Sequence, residues 1–374
     1  MTAIAKALVI GGGIGGMAAA IALARQGTTV RLIDIDPEWK VYGAGITITG
    51  PTLRAFRKLG LLDPIKEHGY FSIGQRLFLF DGTMIGEQIP PPIEEGLPAS
   101  GGIMRPKLHQ IMSSAVRELA IDVRLGVTAN AFDQDGDSVS VRFSDGHEDR
   151  FDLVVAADGI YSRTRAALFP DAVKPVYSGQ MSWRVVAPRP PEMNFSEFFF
   201  GHANIGGIIP CSQTQVYGFI LHADPECRRV PDADQANYLR ELMADFDGPM
   251  AAVRESIGPN SSIVARPFEY ALQPKPWHVG RVVMIGDAAH ATTPHLASGA
   301  GIAVEDALVL MEELAKAGDD VAGALNAFVE RRFERCRYVI ESSVAIGQRQ
   351  LEGAPPQEMG MRMGQAMAYL AGDI

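Results

Sequence analysis

Glycines spaced for phosphate binding lie close to the start of the chain. Gly11, Gly13 and Gly16 follow an apolar run and precede a helical pattern, and in that context a G-x-G-x-x-G spacing predicts a dinucleotide-binding turn. Gly11 allows a tight turn, Gly13 lets the backbone approach a pyrophosphate, and Gly16 lets the helix pack closely on the strand. Asp34, after the second strand, can accept hydrogen bonds from a ribose. The spacing does not separate FAD from NAD, and a glycine-rich turn without a nucleotide is the alternative.

Two later turns place aspartates directly after apolar runs. Asp158 follows residues 153–157, and Asp287 follows residues 281–285. In open α/β sheets, ligands bind outside the carboxyl ends of the parallel strands. Both carboxylates can therefore face a ligand, whereas an aspartate that only holds a turn or caps the next helix is the structural alternative.

The elements that must position these turns alternate between strand and helix. A strand over 7–10, a helix over 17–25 and a strand over 29–33 predict a right-handed βαβ unit. Between the later turns, residues 180–222 contain β-prone runs broken by prolines, which predict a second, antiparallel sheet. Residues 321–348 have the pattern of a long amphipathic helix, and a methionine-rich segment follows.

The predicted fold class is α/β, with a discontinuous dinucleotide-binding domain into which a β-sheet domain is inserted. The dinucleotide domain comprises residues 1–70, 98–175 and 270–320, the substrate-binding sheet domain comprises 71–97 and 176–269, and the C-terminal helices comprise 321–374.

Composition favours a small organic ligand over a polyanion. A net charge of -10 makes nucleic acid and anionic membrane poor partners. Cys211, Cys227 and Cys336 are too scattered for a disulfide framework or a zinc site. The chain has neither a signal-peptide pattern nor a run of ~20 apolar residues that could span a bilayer. We therefore expect a cytoplasmic protein that contacts no membrane.

Taken in order, the three turns resemble the motifs of the class A flavoprotein monooxygenases, the relatives of p-hydroxybenzoate hydroxylase and salicylate hydroxylase. Gly43-Ala44-Gly45-Ile46, Arg105-x-x-Leu108 and Trp277 before Gly280-Arg281 agree with the same family. The resemblance extends from Ala5 to about Arg337 and is specific as a combination. It implies a Rossmann-type, GR2-like FAD-binding domain with an inserted antiparallel-sheet substrate domain and a C-terminal helical segment.

The resemblance also implies the cofactors and the reaction. FAD would be bound, NADH or NADPH would reduce it transiently, and O2 would form a C4a-hydroperoxide that hydroxylates a small aromatic or heteroaromatic, phenol-like substrate. The residues implied in cofactor binding are Gly11, Gly13, Ile14, Gly15, Gly16, Asp34, Gly45, Thr47, Arg105, Val127, Asp158, Asp287, Pro294, Ala297, Ser298, Gly299, Ala300 and Gly301.

One loop departs from the family pattern. Many members carry Gly-Gln-Gly after the proline, whereas this chain carries Ala297-Ser298-Gly299, so contacts of the glutamine side chain are not expected. Backbone N–H groups of this loop and of the following helix would still stabilise negative charge on reduced flavin.

The substrate is expected between the inserted sheet and the flavin. The candidate substrate residues are Trp183, Arg184, Phe200 and Tyr217, and the candidate catalytic residues are Tyr217, His202 as a base, and Pro294. Each sheet residue has an ordinary structural alternative, and Arg184 has two readings, an anchor for an anionic substrate or a partner of a surface carboxylate.

Rival interpretations remain at this point. A flavin-dependent halogenase would need a Trp-x-Trp-x-Ile-Pro signature, which is absent, and an NAD-dependent dehydrogenase leaves the two later turns unexplained. A flavoprotein that only binds a ligand stays open. His290 and His295 are too poorly supported by other ligands to predict a metal. The methionine-rich end is expected to pack as a helix or to meet a second copy in a homodimer.

Overall fold

The computed structural model describes residues 4–41 and 43–374. Its first strand, turn and helix form as the sequence predicts. In chain order the strands are β1 (Lys6–Ile10), β2 (Thr29–Asp34), β3 (Gly45–Thr49), β4 (Gln75–Leu79), β5 (Met84–Gln88), β6 (Ser100–Met104), β7 (Asp122–Leu125), β8 (Ala129–Gln134), β9 (Val139–Phe143), β10 (Glu148–Phe151), β11 (Leu153–Ala156), β12 (Val176–Pro188), β13 (Ser196–Phe200), β14 (Ile205–Pro210), β15 (Gln215–Ala223), β16 (Ile263–Leu272), β17 (His278–Val279) and β18 (Val282–Met284).

The helices pack against the sheets, and the last of them form the C-terminal part of the chain. They are α1 (Ile14–Arg25), α2 (Gly50–Lys58), α3 (Leu62–His68), α4 (Arg105–Glu118), α5 (Arg163–Leu168), α6 (Gln235–Leu242), α7 (Pro249–Ser256), α8 (Asp287–His290), α9 (Gly299–Ala317), α10 (Val321–Leu351) and α11 (Pro356–Ala371), with a 3-10 helix at Pro294–Leu296. Within the two described ranges, no helix combines the length and the apolar character needed to cross a membrane.

The first sheet brings the three motif turns together. Its order is β17-β18-β11-β1-β2-β7, and β1 pairs in parallel with β11, which pairs in parallel with β18. Because neighbouring parallel strands end at the same edge of a sheet, the turns that begin at Gly11, Ala157 and Ile285 lie side by side. The predicted Rossmann-type arrangement is confirmed.

The second sheet is mixed, whereas the sequence predicted an antiparallel one. Its order is β16-β12-β15-β14-β13-β4-β5, and every pairing is antiparallel except that of β13 with β4. The exception arises because β4 and β5 come from an earlier part of the chain, so β4 is not joined to β13 by a hairpin. The division of the chain into domains stays a prediction.

Three large apolar clusters hold these sheets. The largest core packs one face of the first sheet against α1, α9 and α10. A second core lies between the second sheet and the helices α6 and α7. A third lies between the other face of the first sheet and the three-stranded sheet β10-β9-β8. The second sheet therefore has one face in a core. On its other face, Tyr217 and Cys211 form a smaller apolar cluster against the segment around Gly45.

Candidate functional site

The glycine turn after β1 is tightly packed at Gly11 and Gly16 and open at Gly13, where a phosphate would need space. A Cβ at Gly11 would collide with the carbonyl oxygen of Ala157, and a Cβ at Gly16 would collide with the carbonyl oxygen of Gly11. Around Gly13, in contrast, no atom lies within 4 Å of the position that a Cβ would take. The N–H groups that open α1, which begins at Ile14 and continues through Gly15 and Gly16, thus face open space.

Asp34 and its neighbours close the far side of this turn. One carboxylate oxygen of Asp34 accepts a hydrogen bond from Gly12 N at 2.6 Å, and the Trp39 indole donates to the Gly12 carbonyl at 2.9 Å. The ring of His109 meets Trp39 edge-on at 5.3 Å, and its Nε2 has no hydrogen-bond partner among the described residues. Val127, also predicted to bind the cofactor, is buried, and its N–H donates to the Asp34 carbonyl at 3.0 Å.

The carboxylate of Asp158 holds its own turn. One oxygen accepts from the Ser162 hydroxyl at 2.6 Å, and the other accepts from the Thr164 N–H and hydroxyl at 3.0 and 2.9 Å. Ser162 in turn caps α5 by accepting from Arg165 N at 2.9 Å. This geometry matches the structural alternative for Asp158, and a direct contact with a cofactor stays a prediction.

Asp287 differs from Asp158 because its carboxylate makes no hydrogen bond within the described part of the chain. It begins α8 where the three motif turns lie side by side, and Asp287 is exposed to the groove between these turns. Burial raises the pKa of Asp287, while the positive charges of His290 and Arg105 oppose this rise. Arg105, the first residue of α4, packs against Gly43, and its Nε lacks a partner among the described residues. A free carboxylate and a free cation therefore face the same groove.

An ionic network fixes the Asp287 turn to the long helices. Asp306 on α9 accepts from Gly286 N at 2.8 Å, from His290 Nε2 at 2.5 Å and from Arg332 Nε at 2.7 Å. Burial opposes ionisation of Asp306, but His290 and Arg332 outweigh it and lower its pKa. Burial likewise disfavours a charged His290, yet Asp306 raises its pKa well above the ordinary histidine value. His290 is therefore an imidazolium paired with a carboxylate.

The network continues from α9 to the C-terminal helices. The Glu305 carboxylate forms an ion pair with Arg332 at 2.9 Å and accepts hydrogen bonds from Nε and Nη2 of Arg335, both at 2.8 Å. Arg335 also donates to the Leu370 carbonyl at 2.8 Å. Every charged member of this network is buried, so each charge depends on its partner.

The same network argues against a metal ion. His290, Asp306 and Cys336 approach one another closely enough to share a cation. Arg332, however, already supplies a guanidinium to Asp306, and a metal at that position would meet its positive charge. His295 lies elsewhere, with Nδ1 3.0 Å from the Thr293 hydroxyl, and burial lowers its pKa to about 4.

The loop between α8 and α9 presents backbone groups to the groove. Pro294 begins the 3-10 helix, Ala297 follows it with a left-handed φ of 48°, and the Ser298 hydroxyl donates to the Leu296 carbonyl at 2.8 Å. Gly299, Ala300 and Gly301 then form the first turn of α9, a helix of 19 residues. Their N–H groups point out of the helix end, where they can stabilise negative charge.

Tyr217 lies where the two sheets meet. Its ring occupies the space that a Cβ at Gly45 would take, next to Cys211, and its hydroxyl is 2.7 Å from the Thr47 hydroxyl. Burial raises the pKa of Tyr217 to about 12. At neutral pH the phenol therefore keeps its proton and can donate a hydrogen bond but cannot act as a base.

The face of the second sheet that points away from α6 and α7 forms an aromatic wall that includes Tyr217. We define this aromatic wall as Val186, Phe198, Tyr217 and Phe219, which pack together with Cys211. The ring of Phe219 lies 5.9 Å from that of Tyr217 and 6.3 Å from that of Phe198. Arg184 lies on this face, directly across from Phe219 in the strand register.

The other predicted substrate residues are not all brought together here. Trp183 points to the opposite face, where its indole donates to His222 at 3.1 Å and packs on Tyr238. Strand alternation therefore separates Trp183 from Arg184, and a contact of Trp183 with substrate stays a prediction. Phe200 is half-buried at the end of β13. His202 is exposed in the following turn against Phe80, with ring centroids 4.1 Å apart, and does not contact Tyr217.

Sequence reasoning missed several residues of the groove. Trp39, His109 and Cys211 carry no motif and reach the site only through the fold. Arg266 on β16 was missed as well, although it pairs in register with Ser182, which lies two residues before Arg184 on β12. The charges at Glu305 and Asp306, inside the otherwise apolar stretch 299–311 of α9, were a signal that could have indicated a buried network.

Comparison with known proteins gives consistent matches along the whole chain. The model of the family described as an FAD binding domain matches residues 5–343. The putative FAD-dependent monooxygenase YetM of Bacillus subtilis is 30% identical over 355 residues, covering 94% of this chain and 95% of that protein. The 2-heptyl-3-hydroxy-4(1H)-quinolone synthase of Pseudomonas aeruginosa is 31% identical, covering 91% of this chain and 88% of the relative.

Among solved structures, Klebsiella pneumoniae HpxO complexed with FAD and uric acid has the same fold. Its TM-score is 0.86 at 24% identity, and the match covers 98% of this chain and 97% of that one.

Proposed function

The chain belongs to the FAD-binding-domain family of FAD-dependent monooxygenases, the class A flavoprotein hydroxylases, and from that premise we propose that it hydroxylates a small aromatic or heteroaromatic compound with O2 and a reduced nicotinamide nucleotide. Bound FAD supplies the activation of oxygen in this chemistry. The observation that carries the proposal is that the three motif turns lie side by side at one edge of the first sheet. Arg105 interacts electrostatically with both Asp287 at this edge and Tyr217 of the aromatic wall.

The residues around the groove fit FAD. The open space at Gly13 and the start of α1 suit the pyrophosphate, and Asp34 suits the adenosine ribose. The carboxylate of Asp287, which has no hydrogen-bond partner among residues 4–41 and 43–374, suits the ribityl hydroxyls. The first turn of α9 would support the pyrimidine edge of the ring system.

The chain's own residues then have three tasks. The aromatic wall orients a flat substrate and excludes water from it. The Tyr217 phenol, held by Thr47, donates a hydrogen bond to a substrate oxygen and cannot remove its proton. His202 as a general base stays a proposal, and its exposed position requires a relay or a movement of the hairpin.

Names of relatives support an aromatic or heteroaromatic substrate. The Pseudomonas relative is named for a hydroxyquinolone product, and the HpxO structure contains uric acid. A ligand-binding flavoprotein without turnover is the second candidate, and no observation favours it over catalysis.

The test is coupled turnover with labelled oxygen. FAD-loaded protein is incubated with NADH or NADPH and a panel of phenols, aromatic acids and N-heteroaromatics under 18O2, and products are identified by mass spectrometry. Substrate-stimulated oxidation of the nicotinamide, with one labelled oxygen in the product, is expected. Protein that holds FAD but transfers no oxygen to any member of a broad panel would contradict the proposal. The Asp287→Asn variant removes the charge offered to the ribityl chain and is expected to lose FAD more readily than the wild type.

A further inference from the structure

The loop that leads into α9 contains a strained residue. Ala297 follows the 3-10 helix Pro294–Leu296 with φ 48° and ψ 28°, in the left-handed region that a residue with a Cβ occupies at a cost. The family pattern has glycine at this position, whereas this chain has alanine, and only glycine takes the conformation freely. Ala297 therefore keeps its conformation only because its surroundings hold the loop in place.

Two hydrogen bonds hold the loop from within. The Ser298 hydroxyl donates to the Leu296 carbonyl at 2.8 Å, and the N–H of Ala297 donates to the Pro294 carbonyl at 2.9 Å. Both hydrogen bonds join near neighbours in the sequence. They shape the short helix, but neither of them joins the loop to another element of the fold.

His295 packs the loop against elements that are distant in the sequence. Its side chain is buried, and Nδ1 lies 3.0 Å from the Thr293 hydroxyl. The ring of Phe268 on β16 meets the imidazole edge-on at 5.3 Å. On α10, a Cβ at Gly347 would lie 2.6 Å from Cε1 of His295 and 2.7 Å from Oε1 of Gln180 on β12. The imidazole is therefore wedged between β16 and α10, next to β12.

The contact with His295 explains a glycine inside a long helix. Gly347 lies in the interior of α10, a helix of 31 residues, where glycine is less favourable than alanine. A Cβ at this position would also lie 3.0 Å from Nε2 of His295. This nitrogen is buried and has no hydrogen-bond partner among residues 4–41 and 43–374. The outer edge of the imidazole thus faces α10, and close packing holds it there.

We propose that His295 is a positioning residue that holds Ala297 in its left-handed conformation and thereby fixes the first turn of α9 beside the cofactor. That turn, which contains Gly299, Ala300 and Gly301, begins two residues after Ala297, so a relaxed loop would let it fray. The inference rests on the proposed function for the identity of the cofactor. The mechanical coupling between His295 and Ala297 does not depend on that identity.

The expected consequence concerns the reduction of bound FAD. N–H groups at a helix N-terminus stabilise negative charge, which accumulates on reduced flavin. Loss of His295 should therefore shift the reduction equilibrium toward oxidised flavin, whereas a loss of folding stability alone would leave this equilibrium unchanged. Ala297→Gly favours the left-handed form by about 5- to 30-fold in population, so it should restore the loop when His295 is missing.

Direct contact of the imidazole with the cofactor is the competing explanation for any effect of His295. In that case Ala297→Gly recovers nothing, because the missing group is the imidazole itself. If His295 acts through the loop, the glycine recovers the lost property. A cycle of two single variants and the double variant separates these explanations.

The experiment measures the midpoint potential of FAD-loaded wild type, His295→Asn, Ala297→Gly and the double variant. Asparagine keeps a polar group near Thr293 and removes the part of the ring that contacts Phe268 and Gly347. We expect His295→Asn to change the reduction equilibrium by about tenfold, which lowers the potential of a two-electron couple by about 30 mV. Ala297→Gly should change the wild type little and recover about half of this shift or more in the double variant.

Unfolding of the same four proteins without flavin tests the coupling independently of the cofactor. Ala297→Gly relieves strain in the wild type, where His295 enforces the left-handed form. In His295→Asn the loop has already relaxed, so the same substitution has less strain to relieve. We therefore expect Ala297→Gly to stabilise the wild type more than it stabilises His295→Asn.

Gly347→Ala tests the contact from the side of α10 without removing the imidazole, and it should lower the potential as His295→Asn does. The matched control is Gly364→Ala in the interior of α11, where no atom of another described residue lies within 4 Å of the added Cβ; it should leave the potential unchanged.

An unchanged potential in both His295→Asn and Gly347→Ala, or no recovery in the double variant, would overturn the proposal. Equal stabilisation by Ala297→Gly with and without His295 would do the same. A chain that binds no FAD refutes the proposed function, and the unfolding comparison then still decides whether His295 holds the loop.

Discussion

Glu197 provides a prediction whose size follows from the structure. It lies on the core face of β13, is 5% exposed, and its Oε2 has no hydrogen-bond partner among the described residues. Arg76 is the nearest cation that acts on it, but that guanidinium pairs with Glu87 at 2.8 Å and lies over the ring of Phe195. Burial therefore dominates and raises the pKa of Glu197 from 4.5 to about 7.

The sign and the magnitude of the effect follow from proton linkage. Because the pKa is higher in the folded state, the protonated carboxyl is tolerated below pH 4.5, and stability is lost as the pH rises through about 7. Between pH 5 and pH 8 this one group should cost about 2.5 kcal/mol, since one pKa unit corresponds to about 1.4 kcal/mol.

The assay is chemical unfolding of FAD-saturated wild type and Glu197→Gln at both pH values. The glutamine keeps the shape and cannot ionise, so the variant should gain about 2.5 kcal/mol on the wild type between pH 5 and pH 8. Glu67→Gln, at an exposed position, controls for loss of charge alone. A stability difference between wild type and Glu197→Gln that is the same at both pH values would refute the reasoning.

Three further changes test other parts of the site. Gly16→Ala places a methyl group against the Gly11 carbonyl and should cost about 1–3 kcal/mol, seen as weaker FAD retention; unaltered FAD affinity and stability would contradict the close packing. Asp306→Asn leaves His290 and Arg332 without their anion and should destabilise by about 3–5 kcal/mol in denaturant unfolding, so an unchanged midpoint counts against the network. Tyr217→Phe removes a 2.7 Å hydrogen bond worth about 1 kcal/mol of folding stability. If the phenol contacts substrate, kcat/KM should fall by more than the factor that corresponds to this free energy. A smaller fall would show that it does not contact substrate.

Much of the fold could be predicted because its signals are local. The glycine turn, the apolar runs before Asp158 and Asp287, and the amphipathic pattern of α10 are each readable within about 30 residues. Since β1, β11 and β18 are buried parallel neighbours, identifying these strands correctly was enough to predict that the turns after them lie at one edge of the sheet. The family resemblance then ordered the three turns correctly.

The remainder depends on contacts between distant parts of the chain. Asp306 and Arg332 are 26 residues apart, and Glu305 and Arg335 are 30 apart; helical periodicity indicates buried faces but not which faces meet. The parallel pairing of β13 with β4 joins segments more than a hundred residues apart. The opposite orientations of Trp183 and Arg184 could have been predicted from the sequence, because adjacent residues of a strand point to opposite faces of the sheet.

Gly11, Asp158 and Asp287 lie in three turns that we propose form one FAD site. The decisive experiment is an equilibrium titration of the purified, flavin-free chain with FAD, followed by flavin fluorescence and absorbance. The predicted result is saturation at one FAD per chain, with a shifted flavin spectrum that Gly16→Ala and Asp287→Asn weaken. A flavin signal that does not respond to the native protein would contradict the account.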